Sequence, residues 1–591
     1  MASGRGPARR RRRKRSRGRG PGRGDGGKRL LVVLGATLLA FLAITGRLVV
    51  LQVVDANSLD QAAARQRLRT IELPASRGRV IDRNNDDLAL SVDARAVYAQ
   101  PRLIRDREAT ARRLAPLLPR PVADLRRKLA SPLPWVYLAR RVPAPRGDAV
   151  ARLHLPGIGV LGDTVRAYPS GALAAQVLGF VDPDGKGLSG VERQYDGLLR
   201  GRSGQLRLEQ DPKGRPIPSG HSSVTPPEPG TDVVLTLDQP LQYEAERTLA
   251  QAVRANHAKG GSVVVLAPST GEVLAMANLP SFDPNRYSRA VPGAWRNRAV
   301  EDVFEPGSTN KTITAAAALE SGVVTPGTQL RVPDALNLCP GVKTFHDSHQ
   351  HREEVLSFAD VVAQSSNVGT IKVASRLGAA RLARAELNFG YGRRTGVDLP
   401  GESPGLVTPA TSWRCTDLGV NAIGQGVAVT VLQAAQVYAA VANGGMQVPP
   451  SLLRGTIDAR GRFHPAPRRP ARRVISAPTS RTLTSILQGV VGHGTGTEAA
   501  LGDWSVAGKT GTARKPNPNG RGYLPGAYMA SFIGFAPAEH PAVVVAVVLD
   551  QPTPIFGGVV AAPVFRQVAR YALTRLRVPP SVPARQGPAP P

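Results

Sequence analysis

The sequence predicts an α/β fold: a layered sandwich in which strands from the two ends of one long region pair in a single antiparallel sheet, behind a membrane-spanning helix. Three observations lead there. Strand-like apolar runs, Ser262-Val263-Val264-Val265-Leu266 and Ala542-Val543-Val544-Val545-Ala546-Val547-Val548-Leu549, stand far apart in the chain. Alanine-rich segments of helical character fill the interval between them. Near the N-terminus, residues 30–54 carry a single charge, Arg47.

Taken in order, the chain of 591 residues opens on its most basic part. About a dozen of the +33 net charges precede Leu30, in Arg9-Arg10-Arg11-Arg12-Arg13-Lys14-Arg15 and its Gly- and Arg-rich continuation. With nothing apolar to bury, residues 1–29 read as a disordered tail. Such a run by itself suits nucleic acid. The segment that follows redirects it to a membrane surface. As a helix, residues 30–54 span roughly 37 Å, enough to cross a hydrocarbon core of about 30 Å. Arg47 lies within two turns of the far end, where its head can snorkel to the lipid headgroups. The stretch is too long and too uncharged for a core helix. It also outlasts a signal-peptide apolar region, with no small-x-small cleavage site. The positive-inside rule then places the N-terminus in the cytoplasm and everything after Asp55 outside. The arginines lie against the anionic inner leaflet, and no nucleic acid is expected as a partner.

Residues 55–225 are rich in Arg, Leu and Pro, with short β-type runs and one or two helical stretches. Residues 216–227, Pro- and Ser-rich, read as a linker. Beyond it, Val233-Val234-Leu235-Thr236-Leu237 and the run from Ser262 look like buried strands, and the run from Ala542 is the strongest strand in the chain. Helices are expected at about 311–321, 358–377, 430–443 and 478–491. Strands at both ends enclosing a helical middle make the sandwich. The Pro-rich residues 576–591 read as a disordered tail. Only two cysteines occur, Cys339 and Cys415, both in the exported part. A disulfide and two buried thiols both fit them, and without a Cys-x-x-Cys pattern neither zinc nor a redox motif is indicated.

Ser308 is the only serine with a lysine three positions on, in Glu305-Pro306-Gly307-Ser308-Thr309-Asn310-Lys311. On a helix that spacing sets hydroxyl and amine on one face, about a turn apart. A buried lysine of lowered pKa can then accept the serine proton and make it an acyl acceptor. Ser365-Ser366-Asn367 follows 57 residues later, and Lys509-Thr510-Gly511-Thr512 a further 144 beyond that. Acyl transfer needs a base for Ser308, for which Lys311 is the candidate. It needs a proton path to the leaving amine, which Ser365 can supply between Lys311 and Lys509. Asn367 suits the substrate amide, while Lys509, Thr510 and Thr512 suit a terminal carboxylate. Gly511 on an edge strand admits the backbone of an extended peptide.

In this order and at these spacings, Ser-x-x-Lys, Ser-x-Asn and Lys-Thr-Gly resemble the penicillin-binding transpeptidases and serine β-lactamases. By that resemblance the oxyanion hole is formed by the Ser308 and Thr512 backbone N–H groups. Other stretches resemble the class B penicillin-binding proteins. These are Arg77-Gly78-Arg79-Val80-Ile81-Asp82-Arg83-Asn84; Arg166-Ala167-Tyr168-Pro169; and Gly190-Val191-Glu192 with Tyr195-Asp196. Ile423-Gly424-Gln425-Gly426 and Ala442-Asn443-Gly444-Gly445 are similar to segments between the second and third catalytic motifs. The implied fold is an antiparallel sheet with helices on both faces plus an all-helical part at 226–575. A mixed α+β pedestal of the dimerisation type at 55–225 and the transmembrane helix precede it. With no glycosyltransferase domain ahead and no appended domain behind, the bifunctional class is not expected.

The resemblance implies a D,D-transpeptidase that cross-links peptidoglycan stem peptides ending in D-Ala-D-Ala, needs no cofactor or metal, and is acylated by β-lactams. It further implies a polytopic glycosyltransferase of the shape, elongation, division and sporulation class and other divisome proteins as partners. A septal role is expected, with an elongation-specific enzyme or a non-catalytic β-lactam-sensing scaffold as alternatives. A carboxypeptidase or β-lactamase fits less well, because β-lactamases lack a pedestal. Two departures stand out. Asn85 replaces a usual glycine but tolerates a left-handed backbone. Asn310 replaces a commonly aromatic residue and is expected to alter packing behind Ser308. His346, Asp347, His349 and His351 could be drawn as a metal site but read as a polar loop.

Overall fold

The computed structural model describes residues 26–58, 68–209, 211, 217, 222–518, 520 and 522–581. The basic run at 9–15, the tail from 582 and residues 216 and 218–221 of the expected linker lie outside the described residues. The chain divides into two units.

The first unit, residues 1–71 and 206–224, contains helix α1, Gly26–Val49, continued by a π-turn, Val50–Val54. The stretch Gly27–Val54 is long and apolar enough to cross a membrane. Leu31, Leu39 and Phe41 along it are 66%, 69% and 66% exposed. Apolar side chains at that exposure require lipid around them. A three-stranded sheet of Leu68–Leu73, Gly204–Glu209 and Ser222–Thr225 completes the unit. The expected linker therefore contains a strand.

The second unit, residues 72–205 and 225–591, is built on two larger sheets. One has five strands: β1 Gly260–Leu266, β2 Val273–Leu279, β3 Ala507–Pro516, β4 Tyr523–Ala536 and β5 Val543–Asp550. Their order is β2-β1-β5-β4-β3, antiparallel throughout. β1 and β5, the two runs that carried the sequence argument, pair directly, Val263 opposite Val547 and Val265 opposite Val545. Both are buried on both faces, which is why they are continuous apolar runs and not alternating ones. Val263, Val265, Val545 and Val547 pack against Leu241, Ala245 and Leu249 of α2, Gln239–Ala255, and against Phe565 and Val568 of the C-terminal helix Ala562–Arg575. Val264, Leu266, Val544 and Ala546 pack on the other side against the helical part. That part includes α3 Lys311–Glu320, α4 Phe358–Ala363, α5 Asn367–Leu377, α6 Val431–Ala442 and α7 Ala477–Gly492.

The other sheet has seven strands and joins strands from residues 80–167 to strands from residues 232–465. Asp232–Leu235, the first apolar run after the linker, is not in the five-stranded sheet. It lies between Val80–Ile81 of the pedestal and Leu453–Ile457. A buried apolar run specifies a strand but not its neighbour. Here the neighbour is set by Asp232, whose carboxylate accepts from Arg79 N at 2.7 Å and Arg79 Nε at 2.9 Å.

The three pedestal motifs, scattered in sequence, meet on one carboxylate. Glu192 is fully buried. Arg77 Nε and Arg166 Nε each lie 2.7 Å from its oxygens, and Tyr168 Oη lies at 3.3 Å. Arg77 also reaches Asp196 at 2.8 Å. Asn85 takes a φ of 71°, the left-handed value expected of it.

Candidate active site

The chain enters α3 through a single 3-10 turn, Gly307–Asn310, which sets Ser308 one turn ahead of Lys311. Lys311 is fully buried, and its Nζ donates to Ser365 O at 2.6 Å, Asn367 Oδ1 at 2.7 Å and Ser365 Oγ at 3.3 Å. All three acceptors are neutral. Burial therefore dominates and brings the Lys311 pKa down to about 7, with the Asp347 carboxylate acting in the opposite sense. An amine half neutral near pH 7 is suited to take up and return a proton. Ser308 itself is half-buried, and among the described residues no hydrogen bond joins it to Lys311.

The sequence predicts one helix over 358–377, and here the structure differs. The helix breaks into α4 and α5, and Ser365 between them takes a φ of 62°. That left-handed value costs a non-glycine residue on the order of 1–2 kcal/mol. Ser366 starts the new helix, its Oγ accepting from Gly369 N at 2.9 Å. The break has a consequence for Lys311. In an unbroken helix residues 365 and 367 point about 200° apart. Across the break both turn onto one ammonium.

Lys509, on edge strand β3, is also fully buried, and its Nζ lies 3.3 Å from Thr510 O and 3.2 Å from Thr510 Oγ1. Burial first and the charge of Lys311 second hold its pKa well below the usual lysine value. Burial is the largest cause at both lysines, and repulsion between their two positive charges adds to it.

Thr510 is 7% exposed, with its Oγ1 2.6 Å from Thr495 Oγ1, and the half-buried Thr512 accepts from Gly557 N at 3.2 Å. Gly511 has a reason the sequence did not suggest. A Cβ there would lie 2.3 Å from Ser531 Oγ and 3.0 Å from Pro306 O. Glycine at 511 thus lets the Ser308 turn press against the strand. Gly424 does the same from another side: its φ is 74°, and a Cβ would come within 2.2 Å of Gly307 O. Gly307 N donates to Gly424 O at 2.9 Å.

Behind the nucleophile turn, Asn310 is fully buried, and its Nδ2 donates to Asn421 O at 3.0 Å and Glu386 Oε1 at 3.4 Å. Polar contacts thus replace aromatic packing, and burial pushes the Glu386 carboxyl up to about 8. The histidines of the polar loop do not converge: His351 Nε2 lies 3.2 Å from Asp347 Oδ2, while His346 offers its carbonyl to Asn367 Nδ2 at 2.9 Å. Cys339 and Cys415 form a disulfide, the first buried and the second exposed. It ties down the hairpin of Ala335–Cys339 and Lys343–His346, which ends next to Asp347.

Sequence reasoning missed three residues here. Tyr438, a lone hydroxyl on the apolar α6, donates to Thr309 O at 2.9 Å. Thr495 meets Thr510, and the glycine-flanked Gly494-Thr495-Gly496 was its only sequence signal. Asp347, read from the sequence only as part of a polar loop, holds the first turn of α5.

Residues 261–570 match the penicillin-binding protein transpeptidase domain and residues 72–235 the penicillin-binding protein dimerisation domain. The chain is 37% identical over 573 residues to the penicillin-binding protein PbpB of Mycobacterium tuberculosis, covering 92% of this chain and 84% of that one. It is 34% identical over 563 residues to the peptidoglycan D,D-transpeptidase FtsI of Escherichia coli, covering 93% and 92%. Penicillin-binding protein 3 of Mycobacterium tuberculosis, crystallised in complex with aztreonam, superposes with a TM-score of 0.69 at 33% identity, covering 87% of this chain and 99% of that one. The chain therefore belongs to the penicillin-binding proteins, with a transpeptidase domain behind a dimerisation domain and a helix able to span a membrane.

Proposed function

We propose that the protein is a serine D,D-transpeptidase that cross-links peptidoglycan stem peptides during septal wall synthesis. The observation that carries the mechanism is Lys311: fully buried, surrounded by neutral oxygens, with a pKa brought down to about 7. Ser308 Oγ attacks the penultimate D-alanine carbonyl of a donor stem and gives its proton to the Lys311 amine. The backbone N–H groups of Ser308 and Thr512 receive the developing oxyanion. The C–N bond to the terminal D-alanine breaks, and its amine takes a proton relayed from Lys311 through Ser365. Lys509, Thr510 and Thr512 hold the terminal carboxylate, Gly511 keeps the nucleophile turn close to the strand, and Asn367 holds the substrate amide. An acceptor stem amine then attacks the acyl carbonyl, the ester C–O bond to Ser308 breaks, and the amine's proton passes by way of Lys311 to Ser308 Oγ. A β-lactam follows the first half only: its ring C–N bond opens and the acyl-enzyme persists.

The division reading is supported by relatives named FtsI and PbpB. A cytoplasmic N-terminus and an extracytoplasmic catalytic domain follow from the basic residues ahead of α1. The division into a pedestal at 55–225 and a catalytic domain at 226–575 is part of the same reading. The pedestal is the surface offered to a polytopic glycosyltransferase and other divisome proteins. Labelling of the full-length protein with a fluorescent penicillin tests the chemistry. We expect a stable adduct that disappears in Ser308→Ala. No adduct, or one that persists in Ser308→Ala, overturns the enzyme reading, and turnover within seconds makes the protein a β-lactamase.

A further inference from the structure

The turn that carries Ser365 and Asn367 is strained. Ser365 has a left-handed backbone, and such strain persists only where surrounding groups over-determine it. Ser365 N donates to Val362 O at 3.2 Å and Ser365 O accepts from Lys311 Nζ at 2.6 Å, while one carboxylate holds the three residues that follow. Asp347 Oδ1 accepts from the backbone N–H of Asn367, in a very short contact, and from that of Val368 at 3.0 Å. Its Oδ2 accepts from Ser366 Oγ at 2.8 Å and faces His351 Nε2 at 3.2 Å. The neighbouring His346 carbonyl takes the Asn367 Nδ2 proton at 2.9 Å, so Asn367 Oδ1 is the atom turned to Lys311. His351 Nδ1 lies 2.7 Å from Arg352 O. Both ring nitrogens thus face acceptors, which favours the imidazolium and an ion pair with Asp347. The side chains of His351 and Asp347 are only 8% and 6% exposed.

We propose that Asp347, presented by the disulfide-tied hairpin and oriented by His351, is a positioning residue that holds the 365–367 turn against Lys311. It touches neither substrate nor Ser308. Its effect reaches the chemistry through Asn367 and Ser365. The proposal rests on the acyl-enzyme reading above for its kinetic consequence but not for its structural one. A second consequence is electrostatic. The titratable groups facing Lys311 are Asp347 and Lys509, and those facing His351 are Asp347, Glu354 and His349, whose ring centroid lies 5.7 Å from that of His351. Asp347 favours the charged form of Lys311, so removing the carboxylate lowers the pH at which the amine becomes neutral.

The test uses full-length protein in detergent with two independent readouts. The first is the rate of acylation by fluorescent penicillin as a function of pH. The second is amide hydrogen exchange in peptides covering 365–370, which needs no chemistry at Ser308. In Asp347→Asn we expect acylation to slow by roughly 10- to 100-fold. Its acid limb should move to lower pH, and exchange at 367–368 should quicken. A role in stability alone lowers the melting temperature but moves neither the limb nor the local exchange. Acylation within about twofold of wild type, with unaltered exchange, overturns the proposal. If wild type fails to label, the acyl-enzyme reading falls, and the exchange measurement still decides this one. If Asp347→Asn does not fold, His351→Asn carries the test, with faster exchange at 367–368 expected and unchanged exchange overturning it. Glu353→Gln, an exposed neighbour on the same loop that faces Arg331 at 3.8 Å, should change none of these quantities.

Discussion

Buried charge is handled in opposite ways in the pedestal and in the catalytic cleft. Glu192 in the pedestal is enclosed by two guanidinium groups at 2.7 Å and a tyrosine hydroxyl at 3.3 Å. In the cleft, Lys311 and Lys509 are equally buried, yet their hydrogen bonds go to carbonyl, amide and hydroxyl oxygens. A charge that is buried and paired stays a charge and pins down geometry, here by drawing three distant motifs to one point. A buried lysine given only neutral partners loses its proton more readily and becomes a base. The pedestal arrangement serves structure, and the cleft arrangement is the one the proposed chemistry needs.

The comparison can be broken most severely at Lys311. Lys311→Met fills similar space without an amine and should slow penicillin acylation by at least about 10²- to 10⁴-fold, with little change in unfolding midpoint. A large loss of stability instead would mean that Lys311 is structural after all. Glu192→Ala should do the reverse. Leaving two buried arginines without their partner costs on the order of 3–5 kcal/mol, read by denaturant unfolding, while the folded fraction acylates at nearly the wild-type rate.

Titration sharpens the contrast. Because the neutral amine is the reactive form, acylation should rise about tenfold per pH unit below pH 7 and level off above it. A pH-independent rate between 5 and 7 would remove Lys311 as the base.

The smallest effect is expected at Glu386, a fully buried carboxyl behind the Ser308 turn. Among the described residues Glu386 has no cation paired with it, and burial raises its pKa from 4.5 to about 8. The folded state therefore keeps a proton that the unfolded chain releases, and stability falls as pH rises between those values. Glu386→Gln should leave stability at pH 7 unchanged or slightly raised and flatten that fall. A loss as large as that of Glu192→Ala would show that Glu386 is ionised and paired.

Much of the molecule was legible without coordinates. Two apolar runs, at 262–266 and 542–549, identified the strands that meet at the centre of the sheet, because burial on both faces leaves an unbroken apolar signature. The motif residues Ser308, Lys311, Ser365, Asn367 and Lys509 were legible as candidates, since acyl transfer draws on few side-chain types and their order along the chain survives without a structure. The neighbour of the strand at 232–235, the break at Ser365, the disulfide and the grip of Asp347 were not legible. Each depends on groups tens to hundreds of residues apart, and local propensity carries no record of them. Composition and motif spacing determined the chemistry this chain is equipped for. Only the tertiary structure decided which lysine lies among neutral oxygens, which carboxylate is paired, and which loop holds the second motif in place, because pKa and orientation are properties of surroundings and not of residues.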